Sequence, residues 1–235
     1  MLKLIKLEVR RNNIRTYTIA SIIITTVMLG FLYLFAYAPK LNPNDKDLGI
    51  FLGYNNLIPL FGVLNMAAFC VLSAVMYSKF VIEDYSGKRP VLLFSYPVSR
   101  RKILFSKLSV VSLFTIFSMI ISNLLIFLIF GITDEFMHLV TGSITSANIL
   151  QTIQVTFFMA LIAASIGIIS TGIGFIKKSI PTTIVSAVLM ASLMSNIVVN
   201  TTANMISMYL FGVFMIFVAI FFSISLIRKV NLMEV

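Results

Sequence analysis

Forty-nine consecutive uncharged residues, Ser179 to Ile227, constrain this chain more than any other feature of it. As one helix they would extend about 74 Å, more than twice the roughly 30 Å hydrocarbon core of a bilayer. They must fold back, and the polar cluster from Asn196 to Asn204 is the natural turn. Uncharged runs of 24 residues between Arg15 and Lys40, 31 between Asp47 and Lys79, and 41 from Phe136 to Ile176 each suffice for one crossing. A stretch from Ile103 to Gly131 supplies another. The pattern predicts an all-α polytopic membrane protein, one transmembrane domain over residues 1–235, with spans at about 16–38, 55–82, 103–131, 148–175, 180–199 and 204–227. Pro59 is expected to begin or kink the second span.

Only 11% of residues are charged, against about one quarter in globular domains, which leaves no room for a folded soluble domain. The net charge of +10 does not point to nucleic acid, because the cations sit at the ends of apolar runs rather than on one face. With both termini in the cytoplasm, 16 of the 18 basic residues are cytoplasmic and only Lys40 and Lys46 lie outside. The positive-inside rule therefore predicts a multi-pass protein with both ends inside. The single cysteine, Cys70, excludes an intrachain disulfide framework.

Residues 1–15 have helix-forming composition, and Lys3, Lys6 and Arg10 make one basic stripe bordered by leucine and isoleucine. An interfacial helix with its cations at anionic headgroups fits this pattern. So does a disordered basic tail that only sets topology. The first span is far longer than the roughly 7–15-residue core of a signal peptide and is expected to be retained. Asp134, Glu135 and His138 are expected in a short acidic loop after the third span.

The spans carry no ionisable group in their interiors, which argues against proton coupling. Asn65, Ser73, Ser112, Ser118, Ser122, Asn123, Gln151 and Gln154 are left for hydrogen bonding between helices or for a polar route. Ala163, Gly167 and Thr171 have the spacing of close helix packing. One histidine makes neither a zinc site nor a nucleophilic triad. No phosphate loop occurs, since Gly87-Lys88-Arg89 lacks the spacing. No catalytic, metal or cofactor site is predicted in the chain.

Residues 83–102, together with Lys107, break the apolar pattern. Glu83 and Asp84 end the second span; Gly87 and Pro90 interrupt the chain. Val91, Leu92, Leu93 and Phe94 are expected to form a short apolar helix stopped by Pro97, and Ser99 is placed to cap the third span, with Arg100 and Arg101 at headgroup level. Taken alone, the apolar residues fit a partner's cleft and an immersion in the interface equally well.

The run Glu83, Gly87, Leu92-Leu93-x-Ser95-x-Pro97-Val98-Ser99-Arg100-Arg101-Lys102-Ile103-Leu104 and Lys107 resembles the first cytoplasmic loop of type-2 ABC exporter permeases. The six-span layout with an N-terminal interfacial helix is similar as well. Lys88-Arg89-Pro90 departs from the family, which commonly has a threonine and an acidic residue there. The short fifth-to-sixth connection departs from relatives with a large external domain. The resemblance implies that the loop forms a coupling helix docked on a separate cytoplasmic ATPase subunit, which would hold the ATP and magnesium. It also implies a permease pair, with a second copy or a similar chain, in a bacterial cytoplasmic membrane. The composition looks similar to Gram-positive exporters of lantibiotics, phenol-soluble modulins and antimicrobial peptides, so the implied substrate is an amphipathic peptide. The alternatives are export of a lipid or small hydrophobic drug, and a non-transporting anchor that recruits an ATPase.

Overall fold

The computed structural model describes residues 2–41, 48, 51–86, 99–140, 145–202 and 204–232, without the side chains of 2, 3, 199–202 and 205. Helix α1 spans Leu2–Arg11, and a turn at Asn12 and Asn13 leads into α2, Ile14–Leu41. Then come α3, Tyr54–Tyr77, continued by a π-helical turn Ser78–Ile82, and α4, Arg100–Met137. Helices α5, Ser146–Lys177, α6, Ile180–Thr202, and α7, Met205–Asn231, complete the order. No strand occurs among the described residues. Six helices, α2 to α7, are long and apolar enough to cross a membrane. The protein is therefore an all-helical, multi-pass membrane protein.

Helix α5 is the hub. In its apolar window 78% of residues are buried, against 17% in α2 and in α6. It packs on α3, α4, α6 and α7. Small residues on this helix, Gly167 of the expected stripe among them, explain how. A Cβ on Gly167 would collide with the Ser73 hydroxyl of α3, and one on Gly174 would collide with Thr183 of α6. Helices in lipid gain little from apolar burial alone, so close backbone approach carries their association. Lipid-facing side chains such as Phe217 and Phe221 remain exposed on α7, as a helix against hydrocarbon requires.

Several boundaries differ from the sequence reading. Helix α1 stops at Arg11, so Ile14 and Arg15 belong to the first span. Helix α2 continues through Pro39 to Leu41, beyond the expected end of the first span near residue 38. Helix α3 starts at Tyr54, so Pro59 lies in its second turn and does not begin it. Helix α4 runs to Met137, which puts Asp134 and Glu135 on a helix and not in a loop. The reason is local: one Asp134 carboxylate oxygen accepts the backbone N–H of Leu139 (2.7 Å) and Val140 (3.1 Å), tying the chain beyond the helix back onto its last turn. The Tyr54 hydroxyl donates to the other oxygen at 2.5 Å, and His138 ends the helix with φ 48. Helix α6 continues to Thr202, shortening the turn expected from Asn196, and the Asn204 side chain accepts the Ile206 N–H at 3.1 Å to cap α7.

Candidate functional site

One end of the bundle gathers α1, the residues after the π-helical turn, the first turns of α4 and the corner between α5 and α6. A separate apolar cluster supports it, with Phe80, Ile103, Leu104 and Leu108 among its buried members. Set into this cluster is Lys107, whose side chain is 0% exposed. The ammonium donates to the Phe80 carbonyl at 2.9 Å and to Asp84 Oδ2 at 2.5 Å, and reaches Glu8 Oε2 at 3.4 Å. An ammonium has three donors, and three acceptors surround this one. Arg11 adds a second cation, bonded to Asp84 and 3.7 Å from Glu8. Two carboxylates and two cations balance, the condition under which burial of ionised groups is tolerated.

The neighbouring contacts tie this cluster to the rest of that end. The Tyr85 ring stands edge-on to Phe175 of α5 at 5.7 Å. Burial pushes the Tyr85 phenol well above its ordinary value, with the Asp84 and Glu8 carboxylates adding to the rise, so it stays a neutral hydroxyl. Ser86 donates to the Ile82 carbonyl at 2.5 Å and to the Lys178 carbonyl at 3.3 Å. Glu83 pairs with Lys79, one turn back, at 2.7 Å. The π-helical turn is closed by the Glu83 N–H on the Ser78 carbonyl at 2.9 Å, and turns of this type recur at functional sites.

The uncharacterized protein YcbO of Bacillus subtilis (strain 168) is 30% identical to this chain over 196 residues, 83% of the chain and 84% of YcbO. The chain belongs to the YcbO family. No family model matches it, and no solved structure does.

In this YcbO-family chain the predicted site residues fall into three groups. Glu83 pairs with Lys79, and Asp84 with Lys107 and Arg11, all of the same chain. Arg100 and Arg101 open α4, with Arg101 exposed. Ser99 occupies the N-cap position, yet its side chain makes no cap bond; the Lys102 N–H goes to its backbone carbonyl at 2.9 Å. Gly87, Pro90, Leu92, Leu93, Phe94 and Pro97 lie outside the described residues, as does the Lys3 side chain. Lys6 and Arg10 are exposed on α1, opposite the buried Glu8.

The expectation of spans free of ionisable side chains fails at Lys107, two turns inside α4. Sequence reasoning also missed Glu8. Both carried a signal. Lys107 shares a helix face with Ile103, Leu104, Leu108 and Val111, and Glu8 is the lone acid in a basic segment. Deeper in the bundle, Asn123 of α4 donates to Thr156 at 2.7 Å, while Asn65 of α3 donates to Asn123 at 3.2 Å and to Ser122 at 3.4 Å. Thr25 of α2 closes this chain on Ser122 at 2.8 Å. Four spans are thereby joined. Among the described residues no group of three metal-ligating side chains is found.

Proposed function

We propose that this chain is the membrane-spanning subunit of an ATP-driven ABC exporter, paired with a second permease chain and served by two copies of a separate ATPase. The observation that supports this most is the cluster of Glu8, Arg11, Asp84 and Lys107. It fastens the last residues before the 87–98 segment and the first turns after it to each other and to α1. A segment clamped at both stems transmits a push from a docked protein into α3 and α4 instead of absorbing it. Leu92, Leu93 and Phe94 are the anchors we assign to the ATPase, and ATP with magnesium belongs to that subunit. Binding of ATP would close the ATPase pair, move the clamped stems and reorient the spans. In this reading α1 lies along the cytoplasmic surface with Lys3, Lys6 and Arg10 toward anionic headgroups, both termini are cytoplasmic, and the membrane is a bacterial cytoplasmic membrane.

An amphipathic or antimicrobial peptide is the substrate we assign, entering sideways from the inner leaflet. A lipid or small hydrophobic drug is the second reading. It draws support from an apolar groove of about 420 Å³ between α3, α4 and α5, which is too small for a helix about 10 Å across.

The test is co-purification of the full chain with a candidate ABC ATPase subunit, followed by hydrolysis measured with and without peptide. Leu93→Asp or Phe94→Asp places a charge in an apolar contact, so the complex should dissociate or hydrolysis should uncouple from substrate while the chain still inserts. Wild-type association and coupling in both variants would refute the docking role. Binding without any substrate response would leave an anchor that merely recruits the ATPase.

A further inference from the structure

We propose that the groove between α3, α4 and α5, at the end opposite the buried lysine, is a binding site for a single-chain amphiphile with a cationic headgroup, held by Glu135. This stands on the groove itself and not on the transport reading.

The groove holds about 420 Å³, within the usual range for small-molecule sites. On α4 its wall is a continuous stripe from Leu124 through Leu128, Gly131 and Ile132 to Glu135. Those eleven residues of rise make a slot about 16 Å long, close to an extended dodecyl chain. Ile149 and Ile153 of α5 form the facing side, so the slot is mostly apolar, with Thr152 the polar side chain α5 adds along it and Asn148 and Glu135 both lining it toward the ends of their helices.

The charge at that end decides the headgroup. Glu135 is exposed, and among the described residues it makes no hydrogen bond or ion pair. Its neighbour Asp134 is buried and fully engaged, accepting from Tyr54 and from the N–H groups of Leu139 and Val140. Of the basic side chains described at this end, Lys40 donates to the Met137 carbonyl at 3.1 Å, and the His138 imidazole is exposed at the end of α4. Met137 and Glu135 are two residues apart and so on nearly opposite faces of α4. Among the described residues, no lysine or arginine pairs with Glu135 where it lines the slot. An ammonium there would gain a charge contact at the membrane boundary, where screening by water is reduced. Ordinary lipid chains fill such a slot without discrimination, and the carboxylate is what would select a cation.

The chain contains no tryptophan, so Phe127→Trp, on the groove wall, gives a single fluorescent reporter. The full chain with this change, in phosphatidylcholine nanodiscs, is titrated with chain-brominated dodecyltrimethylammonium and, separately, with brominated dodecanol. The ammonium should quench at concentrations about fivefold lower than the alcohol, the ratio that a contact of roughly 1 kcal/mol gives. Glu135→Gln should remove that advantage and Glu135→Asp should retain part of it. Glu135→Lys should transfer the preference to brominated dodecyl sulfate. Ile149→Phe, which narrows the slot, should weaken quenching by both molecules. Equal quenching by ammonium and alcohol, or an ammonium preference that survives Glu135→Gln, would mean annular lipid only and overturn the proposal.

Discussion

At the scale of single residues, Lys107 shows how an ionised group is kept inside a membrane protein. Desolvating an ammonium is offset only when its donors are all met by good acceptors. The Phe80 carbonyl, Asp84 and Glu8 provide this, and Arg11 keeps the local charge balanced. Replacing Lys107 by Met should destabilise the chain by about 3 kcal/mol, the low end for a broken buried pair because Arg11 stays on Asp84. Unfolding in mixed detergent micelles would measure this. A double-mutant cycle with Glu8→Gln should show a smaller loss in the second step than in the first, and strict additivity would mean the two do not interact.

Asn123 poses a neutral version of the same problem. It accepts from Asn65 and donates to Thr156, so Asn123→Ala leaves two buried polar groups short of a partner. A loss of about 1–2 kcal/mol is expected by the same unfolding measurement.

At the scale of elements, α5 works as a hub because its small residues let three helices come close on different sides. Gly167 meets Ser73 and Tyr77 of α3, Gly172 meets Phe222 of α7, and Gly174 meets Thr183 of α6. Gly167→Ala should therefore lower stability by about 1–3 kcal/mol through overpacking. The Ser73 hydroxyl is buried and forms no hydrogen bond, so Ser73→Ala loses none and should be neutral alone. Combined with Gly167→Ala it removes the worst collision, and thermal unfolding of the double variant should fall between Gly167→Ala and wild type. A double variant no better than Gly167→Ala would show that the helices had moved apart instead.

At the scale of the whole molecule, the proposed orientation rests on charge at the two ends. If both termini are cytoplasmic as proposed, cysteines placed at Lys46 and Phe136 in a Cys70→Ala background should react with an impermeant thiol reagent on intact cells. Cysteines at Lys88 and Lys178 should be protected until the membrane is opened. The reverse labelling pattern would invert the orientation and place the 83–102 segment outside, away from any ATPase.

The number of spans, their approximate positions and the gathering of cations at their ends were legible in the amino-acid order. Hydrocarbon excludes charge and requires about 20 apolar residues per crossing, and both conditions are properties of consecutive residues. The run of 49 uncharged residues had to turn back for that reason, and α6 and α7 do. Only the tertiary structure brought Glu8 to Lys107, 99 positions away, or turned Asp134 inward while leaving Glu135 outward on the same helix end. Those outcomes depend on how each helix is rotated and which neighbour it meets. That rotation is decided by packing between elements distant in sequence, where small residues on α5 and single hydrogen bonds outweigh the uniform apolar character all six spans share.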